Sequence, residues 1–423
     1  MVKAGAEPAH PLLTQRVGRR IGPIRALSAL NMHEAIANHR SSVRASGQAV
    51  PSLPPRLGHI EQLDGLRGLA IVLVMFFHMT MVQPVGAAAI AWDSFCRRGG
   101  FGVDVFFVLS GFLITGILID ALHQPHYFRN FYARRALRIF PLYYAVLVFS
   151  FLLLPRIAPS TAVRYASVNR EAVWYWLHLS NFAIARRGGF LHGILDVSWS
   201  LAIEEQFYLL WPAVVWWLSR ARLRWLCLGL IAVSVASRTL LTAWHAAPVA
   251  VYTLTFCRLD GLAIGALTAI VVRGRSPASI RALLSRSLQF TCPLCLLFLL
   301  PLAAPVADAI NVVGGYLLAS ALTGCAILAV VGAPTALLIR PLEWKALRLF
   351  GRYSYALYLF HYPISAAIRD FVLKPARMPV LLGSSLPSLA FFYLVTGSAS
   401  LCAAFLSWHL YEKRFLRLKR FFA

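Results

Sequence analysis

The sequence predicts an all-α, polytopic integral membrane protein of about ten transmembrane helices around a central intramembrane pocket. Hydrophobic residues occupy 59% of the 423 positions, and the mean hydropathy is +0.67. Apolar runs long enough to cross a bilayer recur along the chain, separated by short segments rich in Arg, Lys, Pro and Gly. These two observations exclude a soluble globular domain, and they make every ionisable group inside a run a candidate for function.

Ten apolar runs define the predicted spans. They cover approximately residues 63–82, 101–122, 139–154, 199–218, 225–244, 249–272, 288–307, 311–331, 349–368 and 386–411. Residues 63–416 form the predicted transmembrane domain, and residues 417–423 form a short tail. The Arg-rich arm before them, residues 1–62, has scattered Pro, Gly and Ser and no long apolar run, which predicts a disordered segment.

The excess of positive charge indicates an orientation in the membrane. Lys and Arg number 41 against 16 Asp and Glu, a formal charge of +25. With both termini in the cytoplasm, 29 of these cations lie on the cytoplasmic side, ten lie outside, and Arg238 and Arg258 lie within spans. Cytoplasmic loops of membrane proteins carry this excess. We therefore expect a multi-pass protein of the cytoplasmic (inner) membrane with both termini inside, and no nucleic-acid partner.

The seven cysteines predict no metal site. All but Cys96 lie in apolar runs without a His or carboxylate at ligand spacing, which is typical of small packing residues. Cys292 and Cys295 form a single CxxC pair, and one isolated pair is a weak metal or redox signal.

The first span, LDGLRGLAIVLVMFFH, carries Asp64, Arg67 and His78 on one face. Arg67 and His78 are eleven residues apart, and at ~100° per residue eleven steps return to within about 20° of the starting direction. At 1.5 Å per residue they lie ~16 Å apart along the axis, which places Arg67 at the cytoplasmic mouth and His78 near mid-membrane. The structural alternative is an interfacial Asp–Arg pair and a packed histidine.

Arginines cluster at the cytoplasmic entrance of the third span, in YFRNFYARRALRIFP. On a helix Arg134 and Arg138 project together, as do Arg135 and Arg138. Guanidinium groups in this arrangement suit a phosphate or pyrophosphate. The alternative is a positive-inside cluster that touches lipid phosphates.

Five further ionisable groups lie within later spans. Glu204 and Glu205 are adjacent in DVSWSLAIEEQFYLLWP and point about 100° apart, so at least one must face a cavity or a cation. Arg258 and Asp260 are close in FCRLDGLAIGAL, where a structural ion pair is the alternative to a substrate contact. His361 lies in GRYSYALYLFHYPI.

Together these groups suggest general-base chemistry on a substrate whose phosphorylated part binds from the cytoplasm. Acyl transfer from coenzyme A fits, because its phosphates would bind the arginines while the thin pantetheine arm carries the thioester into the bilayer. His78 would then remove the proton of an incoming hydroxyl.

Several long segments resemble the signature segments of the membrane acyltransferase 3 family, in the family's order. They are LDGLRGLAIVLVMFFH, GGFGVDVFFVLSGFLIT, ARRALRIFPLYY, WSLAIEEQFYLLWP, RLDGLAIGAL and YSYALYLFHYPI, from about Leu63 to Leu416. The resemblance implies a membrane enzyme that moves an acyl group, often acetyl, from cytoplasmic acyl-CoA to a hydroxyl. The expected acceptor is a glycan or lipid-linked saccharide, such as exopolysaccharide, O-antigen or another envelope glycan.

The resemblance also implies roles for individual residues in a central intramembrane active-site pocket. His78 falls on the family's catalytic base, with Glu204 orienting it or contacting the acceptor, and Asp64 completes the expected catalytic set. The resemblance assigns acyl-CoA handling to Arg135 and Arg138, and the motifs described above add Arg67 and Arg134 to the expected donor-binding set. The expected substrate-binding set is Glu205 together with three groups selected for their position in spans, Arg258, Asp260 and His361. No metal cofactor is expected.

Three points stay open at this level. Direct transfer and a covalent acyl-histidine are both chemically possible. The acceptor is alternatively a small hydroxylated metabolite such as a macrolide, and a non-enzymatic exporter of an organic acid or glycolipid is the rival class. Some family members carry a further SGNH-type domain, and because the sequence stops at Ala423 we expect a form without it.

Overall fold

The structure is a computed structural model that describes residues 59–80, 84–157, 170–190, 193–298, 311–373 and 378–422, with only the backbone described at 295–298 and 311. All of these residues belong to one compact unit, Pro55–Ala423. The predicted disordered arm, residues 1–62, lies outside the described residues except for its last four, of which Glu61 and Gln62 already belong to the first helix.

The described residues are almost entirely helical. The α-helices are α1 (Glu61–Met79), α2 (Ala87–Arg97), α3 (Gly102–Ala121), α4 (Tyr127–Val148), α5 (Ala172–Trp176), α6 (Ser180–Arg187), α7 (Ser198–Trp217), α8 (Arg220–Ala243), α9 (Pro248–Thr253), α10 (Leu259–Val272), α11 (Pro277–Phe298), α12 (Tyr316–Gly332), α13 (Lys345–Arg352), α14 (Ser354–Ala367), α15 (Leu386–Ser407) and α16 (Lys413–Arg417). Wider π-helical turns extend four of them, at Phe149–Leu153, Asn311–Gly315, Ile368–Val372 and Trp408–Glu412, and the first of these turns leads into a further α-helical turn, Leu154–Ile157. The predicted all-α class is confirmed.

Within the described residues the predicted spans fall on helical segments, with a break in the sixth, and residues 299–307 of the predicted seventh span lie outside the described residues. Six continuous helical segments are long and apolar enough to cross a bilayer: Glu61–Met79, Ala87–Ala121, Tyr127–Ile157, Arg220–Ala243, Val312–Gly332 and Leu386–Phe422. Within the described residues Leu259–Val272 is a shorter apolar helix. The chain is therefore a multi-pass membrane protein, and the exact number of ten crossings stays a prediction.

The predicted sixth span, residues 249–272, is not one continuous helix. The backbone is extended at Leu254, which separates α9 from a short 3-10 turn, Thr255–Cys257, and from α10. Side chains satisfy the polar groups that the break exposes: the Asn181 amide donates to the Thr253 carbonyl and the Thr255 hydroxyl at 3.2 and 2.9 Å. A break inside a membrane protein requires such internal partners, since lipid offers none.

Small residues bring the helices that frame the centre into close contact. A Cβ at Gly111 in α3 would overlap the Leu262 carbonyl of α10, and one at Gly351 in α13 would overlap the Asp64 carbonyl of α1. Close backbone approach of this kind is the usual packing mode of membrane helices. It holds α1 and α13 together at the end of the bundle where α1 begins.

Hydrogen bonds from aromatic side chains fasten α4 and α7 to this frame. The Tyr127 hydroxyl donates to the Pro212 carbonyl at 3.1 Å, which joins α4 to α7. The Trp211 indole donates to the Thr115 hydroxyl at 2.8 Å, and the Tyr355 hydroxyl donates to the Ile139 carbonyl at 2.7 Å. The five helices α1, α3, α4, α7 and α14 are therefore held around a common space.

Candidate active site

An inner cavity of about 70 Å³ lies between α1, α3, α4, α7 and α14. Its ionisable lining consists of Arg67, Arg135, Arg138, Glu204, Glu205 and three tyrosines, Tyr208, Tyr355 and Tyr358. Sequence reasoning placed the arginines and the glutamates in separate motifs. The structure brings them to one space.

An outer cavity of about 370 Å³ shares Arg67, Arg135 and Arg138 with the inner one. Its walls add the start of α1, from His59 to Asp64, the end of α3 at Asp120, and two arginines, Arg273 and Arg352. Three arginines therefore line both cavities, and five line the outer cavity.

These five arginines differ in their partners. Arg273 makes a two-point pair with Asp120 at 2.8 and 2.9 Å. Among the described residues, Arg67, Arg135, Arg138 and Arg352 make no ion pair, and the only carboxylate besides Asp120 in the outer wall, Asp64, contacts His59 at 3.0 Å. The Arg135 guanidinium lies 5.7 Å from the centre of the Tyr208 ring. The shared arginines are thus free to bind an anion.

The acidic pair faces the same cavity as the arginines. Glu204 accepts a hydrogen bond from the Tyr208 hydroxyl at 2.7 Å, and Ser110 of α3 lies beside both groups. Glu205 lines the cavity without a described hydrogen bond. The expectation that at least one of the two faces a cavity or a cation is met by both.

His78 lies in the last turn of α1, which ends at Met79, and so at the opposite end of this helix from Arg67. Its ring is partly accessible and is not among the groups that line the two cavities. Its neighbours are polar or aromatic: the Val74 carbonyl at 2.9 Å, the His361 ring, and Tyr362 at 5.1 Å between ring centres. His361 is fully buried.

The other predicted catalytic groups do not reach His78. In the described part of the chain no hydrogen bond joins Glu204 to His78, because the partner of Glu204 is Tyr208. Asp64 lies fourteen residues before His78 on the same helix, which is ~21 Å along the axis. The structure places Asp64 in the wall of the outer cavity instead.

The structural alternative supposed an ion pair between Arg258 and Asp260. The two residues do not pair with each other. Arg258 pairs with Asp104 at 2.8 Å, and Asp260 pairs with Arg238 at 2.7 Å. Arg258 also lies 3.9 Å from the centre of the Tyr316 ring. All four charged groups are at most 1% exposed, and neither cavity described above is lined by any of them.

The sequence analysis grouped Arg134 with Arg135 and Arg138, and it did not select Arg273 or Arg352 as site residues. Arg134 lines a neighbouring cavity with Asn130 and Phe422, separate from the space shared by Arg135 and Arg138 but adjoining it at Asp120. Arg273 and Arg352 were counted only as cytoplasmic charge. Their position next to span ends was the one available signal, and almost every cation in the chain shares it.

Comparisons with known proteins agree with this architecture. A family model described as an acyltransferase domain, that of the acyltransferase 3 family, matches residues 60–408. The chain is 31% identical over 324 residues to the peptidoglycan O-acetyltransferase OatA of Listeria monocytogenes, covering 72% of this chain and 49% of that protein. It is 32% identical over 324 residues to the putative peptidoglycan O-acetyltransferase YrhL of Bacillus subtilis, covering 72% and 48%.

A third relative is the O-acetyltransferase OatA of Staphylococcus aureus, 30% identical over 345 residues, with 76% of this chain and 53% of that protein covered. This chain matches about half the length of each of these relatives. No solved structure matches. The family model covers most of the described helices and all three shared arginines, and the chain therefore belongs to the acyltransferase 3 family of membrane proteins.

Proposed function

We propose that this protein is a membrane O-acyltransferase that moves an acetyl group from acetyl-CoA to a hydroxyl of an envelope saccharide. The observation that carries the proposal is the set of three arginines, Arg67, Arg135 and Arg138, that line both cavities and have no described ion pair. Cations are costly inside a membrane unless they bind a partner, so an anionic substrate accounts for their position. The acetyltransferase relatives support the type of group transferred.

The outer cavity suits the phosphorylated part of coenzyme A. Its charge is positive, because five arginines line it and Asp120 and Asp64 are already engaged by Arg273 and His59. Guanidinium groups bind phosphate oxygens through paired, charge-assisted hydrogen bonds. We propose that the diphosphate and ribose phosphate bind here, with Asp64 holding the nearby cations in place and Arg134 acting at the margin from the adjoining cavity.

The inner cavity suits the pantetheine arm and the reacting end of the donor. It continues from the shared arginines to Tyr358 of α14, and His361, three residues further along α14, contacts His78. The ~16 Å axial separation of Arg67 and His78 matches a donor that is anchored by its phosphates and reacts at the end of a long arm. Glu204 and Glu205 face this space, and we assign both to hydroxyls of the acceptor.

The proposed reaction needs one base. His78 takes the proton of the acceptor hydroxyl as its oxygen attacks the thioester carbonyl carbon. The new C–O bond forms, the C–S bond breaks, and the proton passes to the departing sulfur to give free coenzyme A and the O-acetyl saccharide. Arg258 and Asp260, which we place in the packing of α3 against α10, take no part in this step.

The direct test is acetyl transfer by the full-length protein in lipid nanodiscs. The assay supplies acetyl-CoA labelled in the acetyl group with peptidoglycan fragments as acceptor, and mass spectrometry follows the label. Labelled O-acetyl saccharide is the expected product. His78→Ala and Arg67→Ala should each reduce its formation to a small residual rate, while Arg224→Gln, which changes an exposed arginine on α8, serves as the matched control. If binding of acetyl-CoA to the protein is no stronger than the background measured with buffer alone, the donor assignment is overturned.

A further inference from the structure

The imidazole of His78 meets a second imidazole, that of His361. The Nε2 atom of His361 lies 3.1 Å from Nδ1 of His78, and the ring centres are 5.0 Å apart at an angle of 58°. The contact joins α1 to α14 across 283 residues of sequence. In the described part of the chain no carboxylate is hydrogen-bonded to either ring.

The backbone fixes which nitrogen of each ring carries hydrogen. Nδ1 of His78 lies 2.9 Å from the Val74 carbonyl, and Nδ1 of His361 lies 2.9 Å from the Leu357 carbonyl. A carbonyl oxygen only accepts, so each Nδ1 must donate, and a neutral imidazole has a single N–H. Nε2 of His361 therefore carries a lone pair, and that lone pair faces the N–H of His78.

This arrangement has two chemical consequences for His78. Its Nδ1–H is shared between the Val74 carbonyl and His361, which leaves the Nε2 lone pair as the only basic position of the ring. When Nε2 accepts a proton, the resulting cation donates a charge-assisted hydrogen bond from Nδ1 to His361. In Ser-His-Asp enzymes a carboxylate performs this orienting and stabilising role for the base.

We propose that His361 is a positioning residue that orients the ring of His78 and stabilises its protonated form, in place of the usual carboxylate. This inference rests on the proposed function, in which His78 is the base. It moves His361 from the substrate contact expected from the sequence to a position behind the base. A neutral partner suits a site with 0% exposure, because a carboxylate buried there would require a cation beside it.

Two substitutions separate the positioning role from simple packing. His361→Leu keeps the bulk of the side chain and removes the acceptor, whereas His361→Gln offers an amide oxygen near the former Nε2 position. We expect His361→Leu to lower kcat by roughly 100-fold, the lower range for acid–base catalysis, and His361→Gln to recover most of it. The KM for acetyl-CoA should stay unchanged in both, since the arginines bind the donor.

A double variant provides the decisive comparison. If His361 acts through His78, His78→Ala with His361→Leu is no slower than His78→Ala alone, because residues that act as a unit are not additive. Additive losses, a raised KM with unchanged kcat, or an unaffected His361→Leu enzyme would overturn the assignment. Thermal unfolding in nanodiscs shows whether each variant is folded.

A measurement independent of turnover keeps the proposal testable if acetyl transfer itself fails. Solid-state NMR of isotope-labelled histidine nitrogens reports the tautomer of His78, with His78→Gln identifying its signals. We expect hydrogen on Nδ1 of His78 in the parent protein and in His361→Leu, because the Val74 carbonyl is present in both, and a shifted Nδ1 signal in His361→Leu, where this hydrogen is no longer shared with His361. A parent signal with hydrogen on Nε2 would overturn the positioning role, whereas absence of acetyl transfer with the expected NMR signals would contradict only the proposed function.

Discussion

Two regions of this protein use arginine inside the membrane domain in opposite ways. In the frame formed by α3, α8 and α10, Arg258 and Arg238 each meet an aspartate at 2.8 and 2.7 Å, and both guanidinium groups are 0% exposed. Around the two cavities, Arg67 and Arg138 have no described ion pair and border open space. Arginine therefore completes ion pairs within the packed helices in one region and borders a cavity without an ion pair in the other.

The difference shows which intramembrane charges point to function. A buried charge without a partner costs several kcal/mol, and a counter-ion offsets part of that cost. A pair such as Arg258–Asp104 is complete in itself, and its removal should affect folding. An arginine that borders a cavity still requires an anion, and its removal should affect binding. The following predictions test that separation, with the effects on donor binding given in decreasing order.

The largest effect should come from an arginine shared by both cavities. Arg138→Ala should lower kcat/KM for acetyl-CoA about 100-fold, because charge-assisted hydrogen bonds contribute roughly 1.5–3 kcal/mol each. Steady-state kinetics at varied acetyl-CoA would show most of the change in KM. An unchanged KM would remove Arg138 from the donor site and break the comparison.

The closed pair should respond in stability. Asp104→Leu leaves Arg258 buried without a counter-ion, and we expect it to destabilise the protein by about 3–5 kcal/mol. Asp104→Leu combined with Arg258→Met removes both charges and should recover much of that loss. Thermal unfolding in nanodiscs measures both variants. If the folded fraction of Asp104→Leu instead has normal stability and a raised KM, this pair belongs to the substrate site.

Arg352 should show an intermediate effect. Of the two cavities, Arg352 lines only the outer one. Its guanidinium group lies 5.8 Å from the centre of the Tyr353 ring and 5.7 Å from that of the Trp408 ring. Because these rings already interact with its charge, its contribution to donor binding should be smaller. Arg352→Gln should raise the KM for acetyl-CoA about tenfold, equivalent to ~1.4 kcal/mol. Arg348→Gln is the control one helical turn earlier, where the side chain pairs with Glu61 outside the cavity lining. Equal effects of the two variants would indicate a general surface-charge effect.

The smallest effect should come from Arg134. This exposed residue adjoins the outer cavity without lining it, so Arg134→Ala should change the KM for acetyl-CoA less than about threefold, the scale of a solvent-exposed charge contact. A loss as large as that of Arg138→Ala would place the donor phosphates in the cavity lined by Arg134 and Phe422. Competition by free coenzyme A measures the same change without turnover.

The helical pattern and most of the cavity wall could be predicted from the sequence. Hydrophobic runs and flanking cations located the spans, and the cost of charge in lipid selected Arg67, Arg135, Arg138, Glu204 and Glu205, all of which line the inner cavity. The helical break at Leu254 could not be predicted in this way, because an apolar run has the same composition whether its backbone is continuous or interrupted. The break depends on Asn181, which lies outside that run.

Partner choice could not be predicted either. Arg258 lies two residues from Asp260 in the chain, yet each pairs across helices with a different residue, and Arg134 separates from Arg135 and Arg138 into another cavity. His361 contacts His78 only because α14 packs beside α1.

The sequence by itself determined the membrane class, the helical segments and the short list of costly polar groups, because each of these follows from the transfer of local residues out of water. The tertiary structure alone decided which arginines are paired and which border a cavity, and which ring lies behind His78. Those outcomes depend on distances between helices far apart in the chain, and side-chain spacing along one helix does not contain them.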